Sequence, residues 1–212
     1  MERIICLVIG YAFGLFQTGY LYSRAHHMDI RTKGSGNSGS TNVLRVMGIK
    51  AGLVVFLGDC FKMVFACLLT RYLFRGQPEA VYLYLLYTGF GVILGHNFPF
   101  YMGFKGGKGI AASAGLLLST DFRLTLICLV VFVLAVAVTR YVSLGSILVM
   151  ILFFIGMVFF AHRGDYGIGT RYLMEFYGMA AAISAMGIWR HKANIVRLVN
   201  GAENKLGAKK KE

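Results

Sequence analysis

Seven long apolar stretches, each bounded by charged residues or by Gly and Pro, constrain this chain more than any other feature. They run approximately Ile4 to Tyr22, Ala51 to Thr70, Ala80 to Gly95, Gly109 to Thr120, Leu124 to Thr139, Val142 to Ala161 and Tyr172 to Trp189. A helix that crosses the hydrocarbon layer needs about 20 predominantly apolar residues. The pattern therefore predicts an all-α integral membrane protein with seven transmembrane helices, of which the third and fourth are short. Composition agrees: 57% of the residues are hydrophobic and 15% are charged, against about a quarter charged in a soluble domain. The four cysteines lie singly inside apolar stretches, so neither a disulfide framework nor a zinc site is expected. Arg3 followed by Ile4 to Gly10 resembles a signal peptide but lacks the small-residue cleavage pattern, and it reads as a retained first helix.

The formal charge of +13 would suggest nucleic acid if it formed a soluble basic face, but the basic residues flank apolar stretches instead. With seven crossings, fifteen of the 22 Lys and Arg residues fall on one side and six on the other, with Lys62 inside a span. Cytoplasmic loops collect Lys and Arg, which places the N-terminus outside and the C-terminus in the cytoplasm. One domain then covers residues 1–212, with a basic cytoplasmic tail over 200–212. No internal repeat is apparent.

Three segments on the basic side carry polar residues suited to anions. The first is Asp29 to Arg45, rich in Gly, Ser and Asn, where successive backbone N–H groups can form a concave nest and Arg adds a two-pronged clamp. The second is Gly95 to Gly109, a glycine-rich turn with Lys105 and Lys108 that leads into an apolar helix, whose N-terminus attracts phosphate. It is not a Walker A loop, because Gly109 follows Lys108 where Ser or Thr is required. The third is Arg190 to Glu203, where His191, Asn194 and Arg197 share one helical face and Ile195, Leu198 and Val199 form an opposite, membrane-facing side. Each segment alone also fits a solvated connector, a basic interfacial turn or an amphipathic anchor. Asp59 and Lys62, at i and i+3 inside a span, read as a mutually paired structural couple that can face the site. Glu175, His26, His27 and His162 receive no role.

Three motifs resemble the bacterial acyl-phosphate:glycerol-3-phosphate acyltransferases, the PlsY family, over essentially the whole chain. They are Gly34-Ser-Gly-Asn-Ser-Gly-Ser-Thr-Asn-Val-Leu-Arg45, Gly95-His-Asn-Phe-Pro99 with Phe104-Lys-Gly-Gly-Lys-Gly109, and Arg190-His191 with Asn194-Ile-Val-Arg-Leu-Val-Asn-Gly-Ala-Glu203. The resemblance implies a seven-helix membrane fold at the bacterial inner membrane. The implied reaction moves a fatty acyl group from acyl phosphate to the 1-hydroxyl of glycerol 3-phosphate, giving lysophosphatidate and phosphate. By the same resemblance, Ser35, Arg45, Asn194 and Glu203 form the catalytic set. Asn37, Thr41, Asn42, His191 and Arg197 contact substrate, and His96, Lys105, Gly106, Gly107, Lys108 and Gly109 surround the acceptor phosphate. No metal or cofactor is expected, and the partners are the two substrates, membrane lipid and a soluble enzyme that supplies acyl phosphate. Two positions depart from the family pattern: Ser40 stands where Ala is common and Ala112 where Thr often follows the second motif.

None of the five histidines has Asp five positions later, which excludes a His-x-x-x-x-Asp acyltransferase. Direct attack of the acceptor hydroxyl on the mixed anhydride, without an acyl-enzyme, is the mechanism this leaves. A transporter for an anionic metabolite is the alternative from another class, and a scaffold docking on anionic headgroups is a third. The absent repeat and the scarcity of polar residues inside the spans weigh against the transporter.

Overall fold

A computed structural model describes residues 1–207 of the chain, and no strand occurs among them. Ten helices follow one another: α1 (Glu2–Gly14), α2 (Thr18–Ala25), α3 (Ser40–Met47), α4 (Ile49–Leu73), α5 (Val81–Asn97), α6 (Ile110–Thr120), α7 (Phe122–Thr139), α8 (Val142–His162), α9 (Thr170–Trp189) and α10 (Lys192–Val199). Every predicted apolar stretch is helical over most of its length. Four helical segments, α1 with α2 taken together, α4, α7 and α8, are long and apolar enough to cross a membrane. At about 1.5 Å per residue, the 11 residues of α6 rise about 17 Å, roughly half of a ~30 Å hydrocarbon layer.

The first stretch is not continuous. Its helix breaks between Gly14 and Thr18, where Gln17 takes φ −96° and ψ 82°. The side chain of Gln17 fills the break, its Nε2 donating to the carbonyls of Gly14 (3.1 Å), Gly95 (3.3 Å) and His96 (3.1 Å).

α1 and α5 approach closely along paired Gly-x-x-x-Gly steps, Gly10 and Gly14 against Gly91 and Gly95. A Cβ on Gly10 would lie 2.1 Å from the Thr88 carbonyl oxygen, on Gly14 2.3 Å from that of Val92, on Gly91 2.4 Å from that of Leu7 and on Gly95 2.3 Å from that of Tyr11. Where lipid supplies no hydrophobic drive, such backbone-to-backbone packing is what joins helices. Hydropathy alone does not register it. A shared core from α4, α5, α6, α8 and α9, including Met63, Leu86, Leu116, Phe153 and Phe176, closes the bundle. α7 buries only Leu124 and Cys128, so its apolar surface faces outward, as a lipid-contacting helix requires.

The segment expected to be a solvated tail is docked in its first part. Leu206 N–H donates to the Arg140 carbonyl (2.8 Å) and the Arg140 guanidinium returns a bond to the Leu206 carbonyl (2.7 Å). Lys209 to Lys211 lie outside the described residues. On α10 the outward apolar residues are Val196 and Val199, whereas Ile195 and Leu198 are half-buried, so the outer ridge lies beside the one expected. Glu175 is paired with Arg3 (Nη2 to Oε2, 2.6 Å) and accepts from Tyr87 (2.7 Å), tying α1 and α5 to α9.

Forcing a side chain between α1 and α5 should separate two backbones. Gly91→Leu is expected to destabilise by about 1–3 kcal/mol, as overpacking does, lowering the thermal midpoint in detergent. Gly178→Ala, with nothing within 4 Å of an added Cβ, is the control and should leave the midpoint unchanged or higher.

Candidate active site

The first polar loop is organised by one side chain. Asn42 Oδ1 accepts from Ser35 N–H (2.8 Å), and its Nδ2 donates to the carbonyls of Ile30 (3.3 Å), Lys33 (3.0 Å) and Asn37 (2.9 Å). Gly34 sits at φ +59°, and a Cβ there would lie 2.3 Å from Asn42 Oδ1, so glycine is what lets the amide reach across the loop. The loop ends in Gly39, from which α3 starts with no side-chain cap.

The second loop closes on itself before α6. Gly106 N–H donates to the Asn97 carbonyl and Gly107 N–H to the His96 carbonyl, both at 3.1 Å. Arg190, from the end of α9, donates to the carbonyls of Gly107 (2.7 Å) and Gly106 (3.3 Å) and lies over the Phe98 ring. Gly109 then takes a left-handed conformation (φ +83°) and starts α6, again with no side-chain cap.

These two uncapped helix starts meet in one cavity of about 130 Å³. The first turn of a helix has orphan N–H donors and the positive end of its dipole, and here two of them face the same space. Arg45 from α3, Lys108 from the second loop and Arg197 from α10 add full charges. Phe56, Ile110, Phe132 and Val142 form an apolar side. The site is thus built for anionic groups beside an apolar chain.

Glu203 sets the orientation of the third segment. Its Oε1 accepts from Asn194 Nδ2 (2.8 Å) and Ser143 Oγ (3.1 Å), and its Oε2 from Arg197 Nε (2.8 Å). Burial alone would raise this carboxyl, but the hydrogen bonds from Asn194, Arg197 and Ser143 outweigh it and hold Glu203 below the usual carboxylate range. With its amide nitrogen on Glu203, Asn194 turns Oδ1 toward Lys108, which donates to it. Burial brings the Lys108 ammonium down to about 8, with Glu203 partly opposing and Arg197, Arg190 and Arg45 adding to the effect. His191 donates from Nδ1 to the Gly187 carbonyl (2.8 Å), and burial together with the Lys108 charge pushes it down to about 4. It is neutral at pH 7, with Nε2 unprotonated.

Of the residues singled out in the sequence, Ser35, Asn37, Thr41, Asn42, Arg45, His96, Lys108, Gly109, His191, Asn194, Arg197 and Glu203 line this cavity. Ser40, one of the two departures, also lines it, and Ala112 is buried in the apolar core. Lys105 does not: it is exposed on the outer side of its turn. Gly106 and Gly107 are outside the lining as well, their N–H groups bonded within the loop. The sequence reading missed Ser143 and Ser146, and it named Arg190 in the third segment without a role. The two serines sit at i and i+3 at the start of an otherwise apolar helix, the one signal that marked them.

An anion held by Lys108 should bind less well once that ammonium deprotonates. Titration calorimetry with inorganic phosphate is expected to show affinity steady from pH 7 to just below 8 and falling above it. Lys108→Met should bind more weakly at every pH and lose that alkaline decline.

A family model described as glycerol-3-phosphate acyltransferase matches residues 4–201. A glycerol-3-phosphate acyltransferase from Clostridioides difficile (strain 630) is 41% identical over 208 residues, covering 98% of this chain and 97% of the relative. One from Shouchella clausii (strain KSM-K16) is 38% identical over 213 residues, covering 99% of this chain and 98% of the relative. Crystal structures of PlsY, an integral membrane glycerol 3-phosphate acyltransferase, in its glycerol 3-phosphate and lysophosphatidic acid forms superpose with TM-scores of 0.82 and 0.81. Both are 33% identical and cover 98% of this chain and 96% of the PlsY chain. The chain belongs to the glycerol-3-phosphate acyltransferase family, as an integral membrane enzyme of the PlsY type.

Proposed function

We propose that this enzyme takes its acyl group from acyl phosphate and delivers it to the 1-hydroxyl of glycerol 3-phosphate, giving lysophosphatidate and inorganic phosphate. The observation that carries this reading is the single cavity in which two uncapped helix starts and three cationic side chains adjoin an apolar side. Both substrates bear phosphate, and one bears a long chain.

The acceptor oxygen attacks the anhydride carbonyl, the bond from that carbon to the phosphate oxygen breaks, and phosphate leaves without an acyl-enzyme. Ser35 and Arg45 of the first segment, and Lys108 with the α6 start of the second, hold the two phosphates; Asn194 and Lys108 stand beside the developing oxyanion. The hydroxyl proton passes to a substrate phosphate oxygen. A phosphate monoester oxygen titrates near about 6, whereas His191 is held to about 4, so phosphate is the stronger base at neutral pH. Asn194 gives one Nδ2 hydrogen to Glu203 and keeps the other for the oxyanion, whereas Asn42 and Glu203, whose polar atoms are engaged by the protein, serve as positioning residues. His191, Asn37, Thr41 and Arg197 complete the substrate contacts.

The membrane setting follows the same logic. Seven crossings of a bacterial inner membrane, with the N-terminus outside and the basic C-terminal end inside, put all three polar segments on the cytoplasmic side. The short α6 then holds its N-terminus below the membrane surface, near the depth of an inserted acyl carbonyl. One domain spans the chain, and a soluble enzyme supplies acyl phosphate to this face.

Purified protein in detergent, given acyl phosphate and glycerol 3-phosphate, should release free phosphate and lysophosphatidate in equal amounts. Asn194→Ala is expected to lower kcat about 10²–10³-fold, as loss of an oxyanion donor does. Lys108→Ala should raise KM for glycerol 3-phosphate, whereas Lys105→Ala, outside the cavity, should change neither parameter. A covalent acyl-Ser35 species trapped during turnover would overturn the direct transfer.

A further inference from the structure

A buried ion pair, Asp59 with Lys62, reaches the cavity wall through Asp59, and the acyl transfer makes no use of it. Lys62 of α4 has three acceptors for its three N–H bonds: the Phe16 carbonyl at 2.7 Å, Asp59 Oδ1 at 2.8 Å and His96 Nδ1 at 2.9 Å. Asp59 Oδ1 also accepts from Thr18 Oγ1 at 3.0 Å. The Phe16 carbonyl is available because the first helix breaks there, and the His96 carbonyl is fixed by Gln17 and Gly107. All of Asp59, Lys62 and His96 are buried.

This arrangement decides which nitrogen of His96 carries the proton. A proton on Nδ1 would point at an ammonium, and the nearest carboxylate oxygen, Asp59 Oδ1, is 3.7 Å away, beyond hydrogen-bond reach. A neutral Lys62 amine accepting from Nδ1–H would leave the Asp59 carboxylate buried without a counter-charge, the costlier state. Nδ1 therefore accepts, and the proton resides on Nε2. That side of the ring lies against Gly107, where an added Cβ would come within 2.0 Å of Nε2, and His96 lines the cavity. No acceptor for Nε2–H is present among the described residues.

We propose that the Asp59–Lys62 pair is a positioning device that fixes His96 as a neutral imidazole protonated at Nε2, so that His96 offers the cavity a hydrogen-bond donor and never a base. His191 carries the opposite tautomer, its Nδ1–H on the Gly187 carbonyl. The ligand served is a phosphate oxygen; that part rests on the acyl-transfer reading above, whereas the tautomer does not.

Nitrogen NMR of ¹⁵N-histidine-labelled protein in detergent, with His96→Gln to identify the His96 signals, tests the assignment without turnover. His96 should show an unprotonated Nδ1 and a protonated Nε2. In Asp59→Asn/Lys62→Met, which removes both charges together, His96 should populate both tautomers, and KM for glycerol 3-phosphate should rise about tenfold, as loss of one hydrogen bond to a charged group does. kcat should stay within about twofold, the mark of an interaction equal in ground and transition states. A wild-type His96 protonated at Nδ1, or a double variant keeping the wild-type tautomer, would overturn the proposal. So would a kcat that falls with KM unchanged. If the double variant does not fold, the wild-type spectrum alone decides. A wild-type protein with the expected spectrum but no acyl transfer would sink the function and leave the tautomer assignment standing.

Discussion

Hydrocarbon offers no hydrogen-bond partner, so each polar group this chain carries into the bundle must be answered by another part of the chain. Most are. Lys62 has its three acceptors, Asn42 both ends of its amide, and Glu203 both oxygens. Among the uncapped helix starts, the first turns of α3 and α6 stand out because both open on the same cavity. At the cavity the unmade bonds describe the ligand: an anion with several acceptor oxygens.

The approach of α1 and α5 connects the fold to this site. Because glycine meets backbone along that seam, the ends of both helices come close enough for one amide, Gln17, to bond three carbonyls, of Gly14, Gly95 and His96. The break this amide stabilises presents the Phe16 carbonyl to Lys62, and Lys62 in turn faces His96. A contact in the membrane-embedded seam is thereby linked to the orientation of a ring at the cavity through a chain of short, directional bonds. The seam, the break and the ion pair are best regarded as one unit.

The apolar stretches were legible because length and charge depletion are properties of a window of sequence, and six of the seven are each carried by one helix. The break in the first stretch was not, since Leu15, Phe16 and Gln17 read as apolar continuity with one tolerable amide; what breaks the helix is a set of carbonyls about eighty residues away along the chain. The three site segments were legible from glycines, amides and cations clustered together. Their internal division was not. Lys105 and Lys108 are equivalent in the sequence, yet one turn of backbone sends the first outward and the second into the cavity. Gly106 and Gly107 look like donors for phosphate, but their N–H groups bond the carbonyls of Asn97 and His96. Arg190 went unassigned because its role is to hold carbonyls, which no motif encodes.

Arginine and lysine divide the work along lines their chemistry dictates. Arg190 holds two carbonyls of the second segment, Arg45 reaches the Asn204 carbonyl at 3.3 Å, and Arg197 binds Glu203 within the third segment. Lys108, which lines the cavity, makes a single hydrogen bond among the described residues, to Asn194, and has two further donors for a ligand. A compact ammonium gives up and regains partners with little rearrangement, and burial already brings Lys108 to about 8. A site for an anionic ligand gains from that arrangement: Arg190 and Arg45 fix one segment to the next, and the Lys108 ammonium, with a single protein partner, is left to follow the ligand.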